Sequence, residues 1–241
     1  LKNVLTNRKL KFVKMNIIDR SIHKYFKKID VVIHLAAIAE IVPSIDHPED
    51  YFNTNVIGTL RVLESMKTNN IKKIIYAASS SCYGIPQKYP TAENEKLDPQ
   101  YPYAFTKLQG ENLIVHWSKI YKINYISLRF FNVYGPRSRT SGTYGAVFGV
   151  FLAQKLNNQP FTVVGSGRQK RDFTFVSDIV DSIIISSKSN IKNQIFNVGS
   201  GQCYTINYLV KLLKGKKINI PKRPGEPNIT HSDIRKIKKN L

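Results

Sequence analysis

Lys73-Ile74-Ile75-Tyr76-Ala77-Ala78-Ser79-Ser80-Ser81-Cys82-Tyr83-Gly84 runs from an unbroken apolar segment into three hydroxyl side chains and a glycine. An apolar run with no alternation reads as a strand buried on both faces, the habit of a parallel sheet. In open α/β sheets ligands sit beyond the carboxyl ends of the strands, which is where Ser79, Ser80 and Ser81 fall. Working outward, Val31 to Leu35 reads as a continuous apolar strand, and Ile126 to Phe131 and Ile195 to Val198 as further strands. Between the first two lies Glu49 to Lys67, a long helix whose buried side is marked by Tyr51, Asn55, Leu60, Leu63 and Met66. Pro102 suits the first turn of a second helix that reaches about Tyr121. Leu10 to Met15 alternates like a strand, and Ser21 to Lys28 reads as a short helix. This alternation of strand and helix predicts a parallel sheet with helices on both faces.

After Gly135-Pro136 the pattern loosens. Gly142 to Asn157 reads as a helix, and Phe161 to Val164 and Phe173 to Val176 as short strands. Ser177 is the expected N-cap of a helix over Asp178 to Ser187, and Thr205 to Lys214 forms another. Ile220 to Pro227 holds three prolines and is expected to be loop.

The 241 residues suffice for one large domain, or one domain with a small lobe. A hydrophobic share of 42% with 11% aromatics excludes an intrinsically disordered chain. No apolar run reaches the eighteen or so residues of a membrane helix. Two cysteines, Cys82 and Cys203, are too few for a disulfide framework, which fits a reduced cytoplasmic setting. No metal-ligand cluster is expected. The formal charge of +21 has two readings. One is a polyanion partner. The other is a general bias toward lysine, since pairs such as Lys27-Lys28, Lys72-Lys73 and Lys216-Lys217 form no basic arm, so that no nucleic-acid or membrane partner is expected.

Tyr103-Ala104-Phe105-Thr106-Lys107 puts a phenol and an amine four apart, on one helix face and one turn from each other. An ammonium beside a phenol favours the phenolate, despite an ordinary phenol pKa of about 10. The spacing is common on solvated helix faces and means little alone. With Ser79 at a strand end it becomes a proton-handling set for an alcohol. Tyr103 is then general base and acid, Lys107 lowers its pKa, and Ser79 aligns the substrate oxygen.

On these residues the sequence resembles the extended short-chain dehydrogenase/reductase family, and within it the NAD-dependent epimerases and dehydratases of the UDP-glucose 4-epimerase type. The resemblance implies a Rossmann-type doubly wound parallel sheet in residues 1–135, with 173–200 returning to it, and a small α/β substrate-binding lobe from 136–172 and 201–241. It implies NAD as cofactor, a nucleotide sugar as substrate and a homodimer. Position by position, Asn16 and Ile17 match the strand end that touches the adenine, although a plain strand-to-helix turn fits them as well. Leu35-Ala36-Ala37 matches the small-residue turn along the cofactor ribose and phosphate. Asn55-Val56-Ile57-Gly58-Thr59 matches N-V-x-G-T, in which Asn55 braces the active-site backbone. Phe131 falls near the nicotinamide pocket, where core packing is an equal explanation, and Lys107 also contacts the cofactor ribose. For the substrate, Arg171-Asp172-Phe173 and the motif from Arg223 to Glu226 match segments that hold the diphosphate and a ribose hydroxyl. Asn132 adds a donor to the diphosphate, and Val163 and Val164 line the base.

Ser80 and Ser81 narrow the chemistry. Related dehydratases carry carboxylates at these two positions, because elimination of water needs a carboxyl acid and base. The resemblance therefore implies epimerisation at C4: oxidation to a ketone, rotation of the sugar, and re-reduction on the other face. Other nucleotide-sugar dehydratases or reductases, and a nucleic-acid-binding relative, are the alternatives. One expected part is not found. No Gly-rich dinucleotide turn occurs, and against the family pattern about forty residues, one β-α-β unit, lie outside this sequence. The chain as given is thus expected to bind NAD poorly and to be inactive by itself.

Overall fold

The computed structural model describes residues 4, 6–138, 140, 147–222 and 225–241. In chain order its strands are β1 (Val32–His34), β2 (Lys73–Ser79), β3 (Asn124–Phe130), β4 (Asn132–Tyr134), β5 (Phe161–Val164), β6 (Lys170–Arg171), β7 (Phe173–Phe175), β8 (Gln194–Val198), β9 (Tyr204–Thr205) and β10 (Lys217–Ile220). Its α-helices are α1 (Ile41–Asp46), α2 (Pro48–Tyr51), α3 (Gly58–Thr68), α4 (Pro102–Tyr121), α5 (Val147–Leu156), α6 (Val176–Lys188), α7 (Ile206–Leu213) and α8 (Arg235–Asn240).

Four strands form a wholly parallel sheet in the order β1-β2-β3-β8. Successive residues of β2 divide between its faces. Ile74, Tyr76 and Ala78 pack beneath Val62, Leu63 and Met66 of α3 and Ile114 of α4. Ile75 points the other way and joins Ile126, Leu128 and Phe196 under Ile179 and Ile183 of α6. Burial on both faces leaves these strands no exposed polar face, and the polar residues they carry, Ser127, Arg129 and Asn197, are themselves buried. The register sets Ser79 opposite Phe130 and Phe130 opposite Val198, so three strands end at one level. A second core gathers Phe151 of α5, Phe161 and Val163 of β5, and Leu209 of α7, and β5 pairs in parallel with β10.

The structure revises several expectations. Leu10 to Met15 forms no strand. Among the described residues β1 is the sheet edge, paired only with β2, and residues 10–15 do not add to that edge. The 49–67 helix is continuous but contains a π turn at Phe52–Ile57. Val62 is buried where Leu60 was expected, and Leu60 is half-buried. Ser177 does not cap α6; the helix starts at Val176 after Phe175, and Ser177 Oγ donates to Asp178 instead. Of the helix expected from Gly142, residues 142–146 lie outside the described residues. Finally, Ile237 and Leu241 pack on the sheet's second face, so the chain's last residues lie with the sheet and not with the lobe. Among the described residues no helix is long and apolar enough to cross a membrane.

Candidate active site

β2 ends at Ser79 and passes into a 3-10 turn at Ser80–Tyr83. The Ser79 hydroxyl accepts from the Ser81 amide at 3.2 Å and lies 2.8 Å from the Ser81 hydroxyl. α4 begins beside this turn with Pro102 in its first turn, which places Tyr103 at the helix start. The Tyr103 ring is bracketed: Tyr101 stacks on it at 6.4 Å and 9°, and Tyr51 meets it edge-on at 6.4 Å and 75°. These groups open onto a cavity of about 430 Å³. Ser79, Ser80, Ser81 and Tyr103 bound it on the sheet side, Asn132, Arg171 and Glu226 on the lobe side, with Phe131 between them. Residues from distant parts of the chain thus meet where the parallel strands end.

Burial raises the Tyr103 phenol above its ordinary value, while a hydrogen bond with Ser79 opposes the rise. In the cofactor-free chain burial outweighs the groups that lower this phenol. Lys107 is buried, and its Nζ lies 4.3 Å from the centre of the Tyr76 ring. Burial lowers the lysine pKa from 10.5 to about 7, with Glu111 pulling the other way. Between those two pH values the unfolded chain holds a proton that the folded chain lacks, so a rise in pH favours folding. The cost of burying this lysine is full below about pH 7 and gone by pH 10.5. Urea denaturation across that window should show wild-type stability rising relative to Lys107→Met; parallel curves for the two proteins would refute this.

Asn55 is buried, and its side chain is fully engaged. Its Oδ1 accepts from the Ile38 amide at 2.9 Å, and its Nδ2 donates to the Ile38 carbonyl and to Thr106 Oγ1, both at 3.0 Å. It ties the chain after β1 to the turn of α4 between Tyr103 and Lys107. Leu35, Ala36 and Ala37 lie just past the carboxyl end of β1 with their side chains exposed. Asn16 Oδ1 accepts from the Ile18 amide at 3.2 Å, the local turn that was the alternative for this residue. Ile17 packs so closely on Gly58 that a Cβ there would sit 2.8 Å from Ile17 Cγ2. Exposed small residues beyond a strand end, a pinned loop and a buried Tyr/Lys pair suit the ribose and nicotinamide side of a dinucleotide.

On the lobe side, Arg171 Nη2 donates to Glu226 Oε1 at 2.6 Å, and both residues are largely buried. The pair also borders a second cavity of about 270 Å³ that includes Val164, Arg168 and Lys222. Val163 does not line it. Strand alternation turns Val164 to the cavity and sends Val163 into the lobe core. Asn132 Oδ1 accepts from Thr230 Oγ1 at 2.7 Å. Arg223 lies outside the described residues. Three features escaped the sequence reading. Arg129 and Glu111 form a buried ion pair, Tyr76 lies under Lys107, and Asp172 accepts from the amides of Ser200, Gly201 and Ser232. Only Glu111 left a signal, standing four residues beyond Lys107 on the same helix face.

The family model described as "NAD dependent epimerase/dehydratase family" matches residues 2–199. A putative UDP-glucose 4-epimerase of Methanocaldococcus jannaschii is 35% identical over 95% of this chain and 77% of its own length. Among solved structures, a UDP-N-acetylglucosamine 4-epimerase from Methanobrevibacter ruminantium, in complex with UDP-N-acetylmuramic acid, superposes with a TM-score of 0.92 at 33% identity. That match covers 97% of this chain and 77% of the other. A UDP-glucuronic acid 4-epimerase from Bacillus cereus, in complex with UDP-glucuronic acid and NAD, gives a TM-score of 0.93 at 31% identity, over 100% of this chain and 78% of the other.

Proposed function

Since the chain belongs to the NAD dependent epimerase/dehydratase family, we propose that it inverts C4 of a UDP-hexose, glucose or its N-acetyl form, through a transient 4-keto sugar. The observation that carries this reading is the acid inventory of the larger cavity. Among the described residues that line it, Glu226 is the only carboxylate, and it is paired with Arg171. Ser80 and Ser81 stand beside Ser79 where elimination of water would need a carboxyl acid and base.

Tyr103 removes the proton from the 4-hydroxyl as the C4–H bond breaks, and returns it to the same oxygen when the bond re-forms on the opposite face. Ser79 donates to that oxygen and holds it against the phenol. Lys107 supplies positive charge beneath the site and a donor for a ribose. NAD, when bound, takes up the C4 hydride and gives it back, so no net oxidation occurs. Leu35, Ala36, Ala37, Lys107 and Phe131 would hold it, with Asn16 and Ile17 farther along. In this reading the sheet with its helices carries the chemistry, and the lobe around α5, β5 and α7 carries the nucleotide. Phe52 and Phe105, exposed yet 5.8 Å apart on neighbouring helices, suit the interface of a homodimer.

The test is product analysis on the full-length protein with NAD and UDP-glucose deuterated at C4. UDP-galactose that keeps its deuterium is expected. A stable 4-keto-6-deoxy sugar, or a reduced one, would overturn the reading. Arg171 should bind the diphosphate by leaving Glu226. Calorimetry with UDP alone should then show Arg171→Ala raising Kd about ten- to a hundredfold, the scale of a charged hydrogen bond. An unchanged Kd would remove Arg171 from the nucleotide site.

A further inference from the structure

We propose that Tyr76 is the positioning residue for Lys107: its ring face seats the ammonium, and its hydroxyl fixes the helix turn that carries the lysine. The inference rests on Lys107 serving Tyr103, but the experiment below reads the lysine directly and is decided whether or not the protein proves to be an epimerase. Tyr76 is fully buried in the middle of β2. Its Oη donates to the Lys107 carbonyl at 3.2 Å while Lys107 Nζ lies 4.3 Å from its ring centre. One side chain therefore grips the lysine at both ends of its reach. An aromatic face attracts a cation through its quadrupole, and more strongly once water is excluded.

The surroundings hold the ring itself in place. His34 lies against it at 5.4 Å and 42°. Thr59 Oγ1 donates its single proton to the Asn55 carbonyl at 2.6 Å, so it must accept from His34 Nε2 at 2.9 Å. His34 is accordingly fixed as the Nε2–H tautomer, and burial, aided by Lys107, keeps it neutral with a pKa lowered to about 3. Gly110 completes the arrangement. A Cβ there would approach the Asn55 carbonyl at 3.3 Å and run into the Tyr76 hydroxyl. The groups facing Lys107 are thus Tyr76 and neutral His34 from the sheet, and Tyr103 and Glu111 from its own helix. Of these, Glu111 and the Tyr76 face favour the ammonium.

Lysine labelled with 13C at Cε allows the Lys107 titration to be followed by NMR, its signal identified by its loss in Lys107→Arg. Tyr76→Phe keeps the ring and should leave the lysine pKa within a few tenths of a unit. Tyr76→Leu should lower it by about one unit, the scale of a desolvated cation–π contact. Phenylalanines carrying one to five fluorines, placed at position 76, preserve shape while draining the ring face, and should lower it stepwise. A flat fluorine series overturns the proposal, as does an unchanged pKa in Tyr76→Leu. If Tyr76→Leu does not fold, the fluorine series alone decides.

Discussion

Replacing Tyr103 with phenylalanine is expected to lower kcat by about two to four orders of magnitude, the range of a positioned general acid–base group. The ring would stay between Tyr101 and Tyr51, because those contacts involve its faces and edge and not its hydroxyl. Binding of UDP-sugar and thermal stability should hardly change, so the loss falls on kcat with KM nearly constant. The Tyr103 phenol is raised by burial in the cofactor-free chain. The residual activity of the variant should therefore lose any dependence on the deprotonation of this group. A Tyr103→Phe protein with more than about a tenth of wild-type kcat would assign the proton transfer elsewhere.

Glu111→Ala should be the most damaging substitution for stability among those considered. Arg129 Nη2 meets Glu111 Oε1 at 2.5 Å, its Nε meets Oε2 at 3.2 Å, and its Nη1 donates to Tyr83 Oη at 2.9 Å. Ser127 Oγ donates to the same carboxylate at 2.7 Å. Both charged side chains are buried. Truncating the acid leaves a guanidinium without its counter-charge, a loss of about 3–5 kcal/mol. For a chain of this size each kcal/mol lowers the melting temperature by about 2–4 °C, so a drop of roughly ten degrees is expected by calorimetry. Glu111→Leu combined with Arg129→Met should recover much of it, since a buried ion pair can be exchanged for apolar packing at little net cost. A fall of less than about 1 kcal/mol for Glu111→Ala would mean that solvent reaches Arg129.

Much of the sheet was legible in the sequence because β2 announces itself as an apolar run, and β3 and β8 gather Ile126, Leu128 and Phe130, and Ile195, Phe196 and Val198, in short strand-like stretches. β10 was not. Lys217, Ile218 and Asn219 are exposed, so no buried face marks a strand that exists through its pairing with β5. Leu10 to Met15 erred in the opposite sense, showing a strand's alternation with no partner to realise it. At the site, Ser79, Tyr103 and Lys107 were readable because each sits at a recognisable element end or helical spacing. Tyr76 was hidden within the very run that announced β2, where an aromatic residue looks like core. Arg171-Asp172-Phe173 was read for its arginine alone. The alternation of the backbone turns Asp172 away from the cavity, to gather the amides of Ser200, Gly201 and Ser232. Such convergence depends on tertiary contacts that no local spacing encodes.

The π turn at Phe52–Ile57 has a consequence for how this chain tolerates change in length. It lies between Tyr51, which meets the Tyr103 ring, and the α3 residues Val62, Leu63 and Met66, which pack on the sheet. In a regular helix each residue turns the chain by about 100°, and the wider π turn takes up about one extra residue while the helix on either side keeps its angular phase. Deleting any residue from 52 to 57 would restore regular α-helical winding. Tyr51 would then keep nearly the same phase against Val62, Leu63 and Met66, since six residues of π winding turn the chain about as far as five of regular α-helix. The segment can therefore lose a single residue with less displacement of its flanks than a regular helix could.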